Sequence, residues 1–419
     1  MSVTTGTRSR EARPRAATAG FAAWVGSAKR MLERPLTPYY VLLSASGMLL
    51  AIGLVMVLSA SSVEAFQQHG SSYYWATRQA IWVGVAIPLA WLATRMPRRL
   101  VRIASWPVLL VSVVLLVLTQ TPMGVMVNGN QNWLALGPLQ LQPSEMAKFA
   151  IVLWCADVYA RKDQLLDSWR HLFLPVVPVL GLIAALVLRG GDLGTALVIF
   201  AIALGMFWVV GVPARLFVAA VSVVSVAALF LAASSPERLT RITSFVNPFK
   251  DFQGSGWQAA HGLLGMASGG VLGKGIGASQ QKWGNLPYAH TDFIYAVLGE
   301  ELGLVGTLLV LALFLAIAWA GLRVAMTTRD LFVRYTSAGV IIWLMAHVVI
   351  NIGMVLALLP VIGIPLPLVS YGGSSLVPEL VALGLVVGFA RSEPAAAAAL
   401  RDRRRGRATG VNARAGRGR

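Results

Sequence analysis

Apolar stretches recur along nearly the whole chain, at 40–61, 79–94, 103–119, 146–159, 172–188, 193–211, 216–233, 293–320, 335–358 and 376–390. With their flanking residues, these runs are long enough to carry helices across the ~30 Å hydrocarbon core of a bilayer. The pattern predicts an all-α polytopic membrane protein of ten transmembrane helices, which puts both termini on one side. The polar links are short except for one large loop, 234–291, between the seventh and eighth helices. Within it Trp257, Ala260, Leu263, Leu264 and Ala267 fall at helical spacing and predict an amphipathic helix lying along the membrane surface.

Composition agrees with this reading. Of the 419 residues 57% are hydrophobic and 12% charged, about half the charge of an ordinary soluble domain. A net charge of +18 would suit nucleic acid if the basic residues clustered on a folded domain. They fall instead in two tails and in short links, which excludes that class. With the N-terminus inside, 27 of the 35 Lys and Arg lie in cytoplasmic segments, so the positive-inside rule sets both termini in the cytoplasm. The segments 63–78, 120–145, 189–192, 234–291 and 359–375 then face outward.

The tails, 1–35 and 392–419, are rich in Arg, Ala and Gly with no sustained apolar period. They are expected to be disordered and either to touch anionic lipid or, equally, to serve as partner-docking segments, leaving 36–391 as the membrane domain. The first apolar run begins near residue 40 and is long enough to span, so no cleavable signal peptide is expected. Cys155 is the one cysteine, which rules out an internal disulfide and a Cys-based metal site. No internal repeat supports a transporter built from two matching halves.

Ionisable residues inside such helices cost about 2.5–3.5 kcal/mol each at a helix centre, and so mark candidate chemistry. Asp292 is the most informative of them. It ends the long outer loop at the start of the eighth helix, with His290, Lys274 and Lys282 in the same loop. A carboxylate at the lipid–water boundary, below the glycine-rich stretch 254–279, is placed to act on a substrate whose tail lies in lipid. The glycines themselves are spaced too irregularly for a nucleotide fingerprint.

Other charges follow the same side. Glu145 and Lys148 open the fourth helix on one face, Asp192 starts the sixth, Glu300 and Glu301 lie in the eighth, and His347 and Asn351 share a face of the ninth. Plain alternatives exist: Asp192 as a helix cap, Thr291 as the cap beside Asp292, Glu145 on a helix dipole, and His347 with Asn351 as interhelical hydrogen bonds. Residues 366–376 carry two prolines followed by Ser370, Tyr371, Gly372 and Gly373, so they cannot form a simple helix. They read as a re-entrant turn beside a substrate groove, or as a structural turn into the tenth helix.

Four ordered segments carry a resemblance to a known family: NWLALGPLQLQPSEMAKFA (132–150), GDLGTALVI (191–199), SGGVLGKGIGASQQKWGNLPYAHTDFIYAVLGEELG (268–303) and NIGMVLALLPVIGIPLPLVSYGGSSL (351–376). Over nearly all of 40–390 the chain resembles the SEDS family, the membrane glycosyltransferases of bacterial shape, elongation, division and sporulation typified by FtsW and RodA, and it looks closer to FtsW. The resemblance implies polymerisation of lipid II at the outer face of the cytoplasmic membrane, at the division septum, with an undecaprenyl-pyrophosphate-linked glycan as the growing chain. It implies that Asp292, in the HTDF motif, is the essential acid and that Lys148, in the PSE-x-x-K motif, is its ionic neighbour. It also implies a class B penicillin-binding protein as transpeptidase partner, alongside other division proteins.

Elementary chemistry fits that expectation. An acceptor sugar hydroxyl must lose a proton as it attacks the donor's anomeric carbon, and a positioned carboxylate suits a general base. The leaving group is a pyrophosphate, so cations should meet its growing charge. Lys148, Arg78, Arg241 and Lys274 are the candidates, with a divalent ion, Mg or Mn, as an addition or replacement. One base and no paired nucleophile predict direct displacement with inversion. Glu145, Asp192, His290, Ser370, Tyr371 and Gly372 complete the expected substrate-binding set.

Three features depart from the family's pattern: Tyr288 before the HTDF motif, Gln131 and Asn132 before Trp133, and Gly190 and Gly191 before Asp192. Accessory roles at 131, 190 and 288 are therefore not carried over. The competing readings are a lipid II flippase or other transporter, the elongation member of the same family, and a scaffold that recruits division proteins.

Overall fold

The computed structural model describes residues 33–127, 129–137, 139–166, 168–233, 240, 245 and 247–402. Arg241 and most of both basic tails lie outside the described residues. The chain is mostly helical. Its principal helices are α1 (Thr37–His69), α2 (Tyr74–Ala93), α3 (Arg98–Thr119), α4 (Pro143–Arg161), α5 (Val176–Arg189), α6 (Leu193–Val210), α7 (Ala214–Ala233), α8 (Trp257–Gly269), α9 (Ile294–Thr327), α10 (Leu331–Val355) and α11 (Leu376–Ser392). A short helix, Trp169–Phe173, leads into α5.

By length and apolar composition, 8 helices among the described residues can cross a membrane, which makes this a multi-pass membrane protein. Two more of the apolar runs form α2, which contains Pro88, and α4, which carries Glu145, Lys148, Asp157 and Arg161. The burial of α4 explains its charges. From Pro143 to Tyr159 it is buried at every position but Met146, packed among α3, α6 and α10, so its polar groups meet protein and not lipid.

One expectation needs correction: the bundle is not wholly α. The link between α3 and α4 folds into a three-stranded antiparallel sheet, β1 (Gly124–Val127), β2 (Asn130–Leu136) and β3 (Leu139–Leu141). Gly124 pairs with Leu134 and Leu134 with Leu141. Alternation along β2 buries Asn132 and Leu134 on one face, as a half-covered strand requires. The Gln131 N–H then donates to the Gly190 carbonyl at 3.0 Å. Asn132 and Gly190, both in departures from the family pattern, thus lie against each other, since a Cβ on Gly190 would overlap the Asn132 side chain.

The outer-loop helix exists as α8, but its buried face differs from the expected stripe. Ala259, Ala260, His261, Gly262, Gly265 and Gly269 are buried, while Leu264 and Ala267 are exposed. Small residues win because α8 packs backbone to backbone along α9, the close approach that glycine permits between helices. Residues 394–402, read as part of the basic tail, are helical.

A glycine also organises α9. Gly303 interrupts it with φ 67° and ψ −165°, a left-handed region that L side chains avoid. The freed backbone groups are taken up by the glycine-rich loop: Leu304 and Val305 donate to the Gly270 and Val271 carbonyls, and Lys274 and Gly275 donate to those of Glu300 and Glu301. Bilayer-level backbone must be satisfied inside the protein, and here one loop does so for one helix break.

Gly53 and Gly47 on α1 make a test. A Cβ on Gly53 would overlap the Leu368 carbonyl oxygen, whereas nothing lies within 4 Å of one on Gly47. Gly53→Ala is expected to destabilise the protein by about 1–3 kcal/mol through overpacking. Gly47→Ala should leave the thermal unfolding midpoint unchanged or raised, since alanine is the better helix former by about 1 kcal/mol. Unfolding midpoints of the two variants in detergent provide the check.

Candidate active site

The chain approaches α9 through a tight turn. Tyr288, with φ 59°, lets its carbonyl accept the N–H of Thr291 at 3.1 Å and of Phe293 at 3.3 Å. Thr291 Oγ1 also donates to the Tyr288 carbonyl, at 3.2 Å, so Thr291 does not cap α9; the N-cap position is Phe293, without a side-chain cap. Asp292 does not cap it either. Among the described residues its half-buried carboxylate has no hydrogen-bond partner, and burial pushes its pKa up to about 6, with Asp192 adding to the rise and His290 opposing it.

Asp292 is nonetheless rigidly held, by its backbone. Three successive carbonyls are gripped from α10 and from the non-helical segment between α10 and α11. His290 O accepts the Tyr371 N–H at 2.9 Å, Thr291 O accepts the Ser370 hydroxyl at 2.6 Å, and Asp292 O accepts Asn351 Nδ2 at 2.8 Å. Gly363 lies opposite, where a Cβ would come 3.4 Å from Oδ2. The segment 364–370 is mostly buried in the bundle, with Leu368 and Val369 against Gly53 of α1, which favours the re-entrant reading.

Aromatic rings line the other side. His290 stacks on Trp75 at 5.3 Å between centroids, and Trp75 meets Tyr371 edge-on at 5.0 Å. His290 Nδ1 lies 3.2 Å from Glu64 Oε2. The Arg78 guanidinium sits 4.7 Å from the centroid of the Tyr74 ring and acts on the Tyr371 hydroxyl. Such an array of flat apolar faces with one cation is suited to a ligand that is part sugar and part phosphate.

Asp192 caps α6, accepting the Thr195 N–H at 2.8 Å and the Thr195 hydroxyl at 2.7 Å. It also contributes to the field at Asp292, so capping and site electrostatics coexist. Lys148 stands apart from Asp292. Its Nζ donates to Glu145 Oε1 at 2.7 Å and to His347 Nε2 at 2.9 Å. An ammonium has no acceptor, so Nε2 must accept and the neutral imidazole carries its proton on Nδ1, 3.9 Å from Glu379 Oε1.

Lys274 is likewise engaged, with Glu300 at 2.8 Å and Ser268 at 2.9 Å. Glu300 further accepts from Ser279, Gln280 and Gln281, and Glu301 accepts from Ser59 and Lys282. These two acids therefore order the glycine-rich loop. Gly372 leads into the turn Gly373–Ser375 that starts α11. Glu64, Trp75, Gln79 and Glu379 escaped sequence reasoning; for Glu379 the signal was present, an acid in the first turn of an apolar helix.

A metal cage is not formed by this set: no group of three or more His, Cys, Asp or Glu among the described residues could hold an ion.

The fold and site define a polytopic membrane protein with a clamped, unpaired carboxylate at one end of its helix bundle. Residues 40–394 match the cell cycle protein family of FtsW, RodA and SpoVE. The chain belongs to that family. It is 38% identical over 391 residues to the probable peptidoglycan glycosyltransferase FtsW of Mycobacterium tuberculosis, covering 93% of this chain and 73% of that one. It is 35% identical over 362 residues to stage V sporulation protein E of Bacillus subtilis, covering 86% and 99%. Among solved structures it resembles a chain of a peptidoglycan synthase complex that coordinates polymerisation and crosslinking, with TM-score 0.67, 27% identity and coverage of 84% and 97%. Thermus thermophilus RodA gives TM-score 0.61 at 28% identity, with coverage of 84% and 96%.

The electrostatics of Asp292 predict a pH profile. If the ionised carboxylate is the working form, kcat should rise through about pH 6, the pKa to which burial pushes it. Asp192→Asn removes a like charge and should move that acid limb to lower pH, while His290→Gln removes a favourable charge and should move it higher. The native state binds the proton of Asp292 more tightly than the unfolded chain, so this group's contribution to stability is lost as pH rises from about 4 to about 6. Asp292→Asn should thus unfold at an equal or higher temperature than the parent at pH 8, measured side by side.

Proposed function

We propose that this protein is a peptidoglycan glycosyltransferase of the FtsW type that polymerises lipid II at the outer face of the bacterial cytoplasmic membrane during cell division. What carries the reading is the state of Asp292: unpaired, raised in pKa, and fixed by three backbone hydrogen bonds at its own and the two preceding carbonyls. A carboxylate kept free of cations and donors retains its basicity, which a general base needs. In the proposed topology ten helices cross the membrane, both termini are cytoplasmic, and the loop carrying Asp292 faces outward.

Asp292 takes the proton of the acceptor hydroxyl as that oxygen attacks the anomeric carbon of the donor, and the polyprenyl pyrophosphate departs from the opposite face. The configuration inverts in this single displacement. Arg78 is the cation best placed to meet the diphosphate, because its contacts are aromatic, whereas Lys148 and Lys274 are each held by a glutamate. Mg or Mn arriving with the substrate phosphates would find Asp192 and Asp292 as the nearby carboxylates and would add charge neutralisation. A class B penicillin-binding protein crosslinks the product and shares the septal site with other division proteins.

Incubation of the purified protein with lipid II tests the proposal. Wild-type protein should yield glycan polymer, and Asp292→Asn should lose it by about 10²–10⁴-fold, the usual worth of a general base, while still binding the lipid. Polymer made by the variant at the parental rate would refute the assignment. A flippase would make no polymer at all and would lose translocation in the same variant. Arg78→Ala should lower kcat by about 10²-fold, whereas Lys274→Ala should act mainly on the unfolding midpoint; equal kinetic effects of the two would contradict the division of roles.

A further inference from the structure

Glu379 has no part in the chemistry above, yet it lies against both the turn at Leu368 and the histidine that binds Lys148. It is buried in the first turn of α11. Its Oε2 accepts the backbone N–H of Leu368 at 3.2 Å, and its Oε1 faces His347 Nδ1 at 3.9 Å, the histidine that binds Lys148. Leu368 is not an ordinary residue to hold. Its φ is 63°, a left-handed conformation that is strained for a bulky side chain and persists only when its surroundings impose it.

The turn at Leu368 sets where Ser370 and Tyr371 fall. Ser370 Oγ accepts the Leu366 N–H at 2.8 Å while donating to Thr291 O at 2.6 Å, and the Tyr371 N–H holds His290 O at 2.9 Å. A shift at Leu368 therefore reaches the backbone of residues 290 and 291, next to Asp292. We infer that Glu379 is a positioning residue for the transfer reaction: its carboxyl oxygen fixes the strained Leu368 turn, and through it the carboxylate of Asp292, to the His347–Lys148 network.

The inference rests on the glycosyltransferase reading for its kinetic arm only. Glu379→Gln keeps an oxygen that can accept the Leu368 N–H, whereas Glu379→Met fills the same volume without an acceptor. With lipid II as substrate, Glu379→Met should lower kcat by about 10- to 100-fold, the scale of a small misplacement of a catalytic group, with KM changed less than twofold. Glu379→Gln should stay within about threefold of the parent.

Hydrogen–deuterium exchange of the peptide spanning 364–372, in detergent and without substrate, provides the second arm. Exchange should quicken in Glu379→Met and return to the parental rate in Glu379→Gln. Unchanged exchange in Glu379→Met overturns the inference, as does a Gln variant as impaired as the Met variant. Absence of polymer from the parent protein would sink the glycosyltransferase reading and leave the exchange arm to decide. If Glu379→Met fails to fold, the Gln variant decides: parental kcat and exchange uphold the inference, and loss of either rejects it.

Discussion

Backbone that is neither helix nor strand cannot be buried in an apolar bundle unless side chains satisfy its polar groups, since each orphan costs several kcal/mol. Residues 364–371 impose that demand here. It is met by Asn351 on the Ile364 carbonyl, Ser370 on the Leu366 amide, Glu379 on the Leu368 amide and Gln79 on the Ser370 carbonyl. Those four side chains come from α10, the segment itself, α11 and α2. Once the segment is fixed by four anchors, its remaining donors can fix something else, and they hold the carbonyls of His290 and Thr291. The rigidity of the site is thus a by-product of solving a solvation problem.

The same accounting separates structural from reactive charge. Glu145, Glu300 and Glu301 are buried, and each meets a lysine: Lys148 at 2.7 Å, Lys274 at 2.8 Å and Lys282 at 3.4 Å. Such pairs offset the cost of burying their members without gaining much beyond that. Asp292 is the contrasting case, with a neighbouring acid and a stacked histidine but no ammonium or guanidinium partner recorded among the described residues. What distinguishes it chemically is the pairing it lacks.

Much of this was legible in the sequence, for reasons that can be named. Long apolar runs fixed the helices because length against bilayer thickness is a coarse and robust criterion, and an acid between a polar loop and an apolar run singled out Asp292 without any structure. The sheet was not legible: Gly124–Val127 and Leu139–Leu141 are too short for alternation to show. Nor was the face of α8, because a hydrophobic-stripe argument seeks large residues, and the packing there uses glycines. The fates of Lys274 and Lys148 escaped for a different cause. Composition can count cations on one side of a membrane, but only three-dimensional proximity tells which carboxylate claims each.

The relation of Lys148 to Asp292 shows what such proximity changes. Read from motifs, the two are ionic neighbours; in the structure each has its own partners, and α10 contacts both. His347 binds the ammonium and Asn351 binds the carbonyl of Asp292, one helical turn apart, about 6 Å of rise. A single helix that grips both groups sets the spacing between them and resists their collapse into an ion pair. That spacing matters more than direct contact would. It leaves Asp292 without an ammonium partner, which would lower its basicity, while the charge of Lys148 is already met by Glu145.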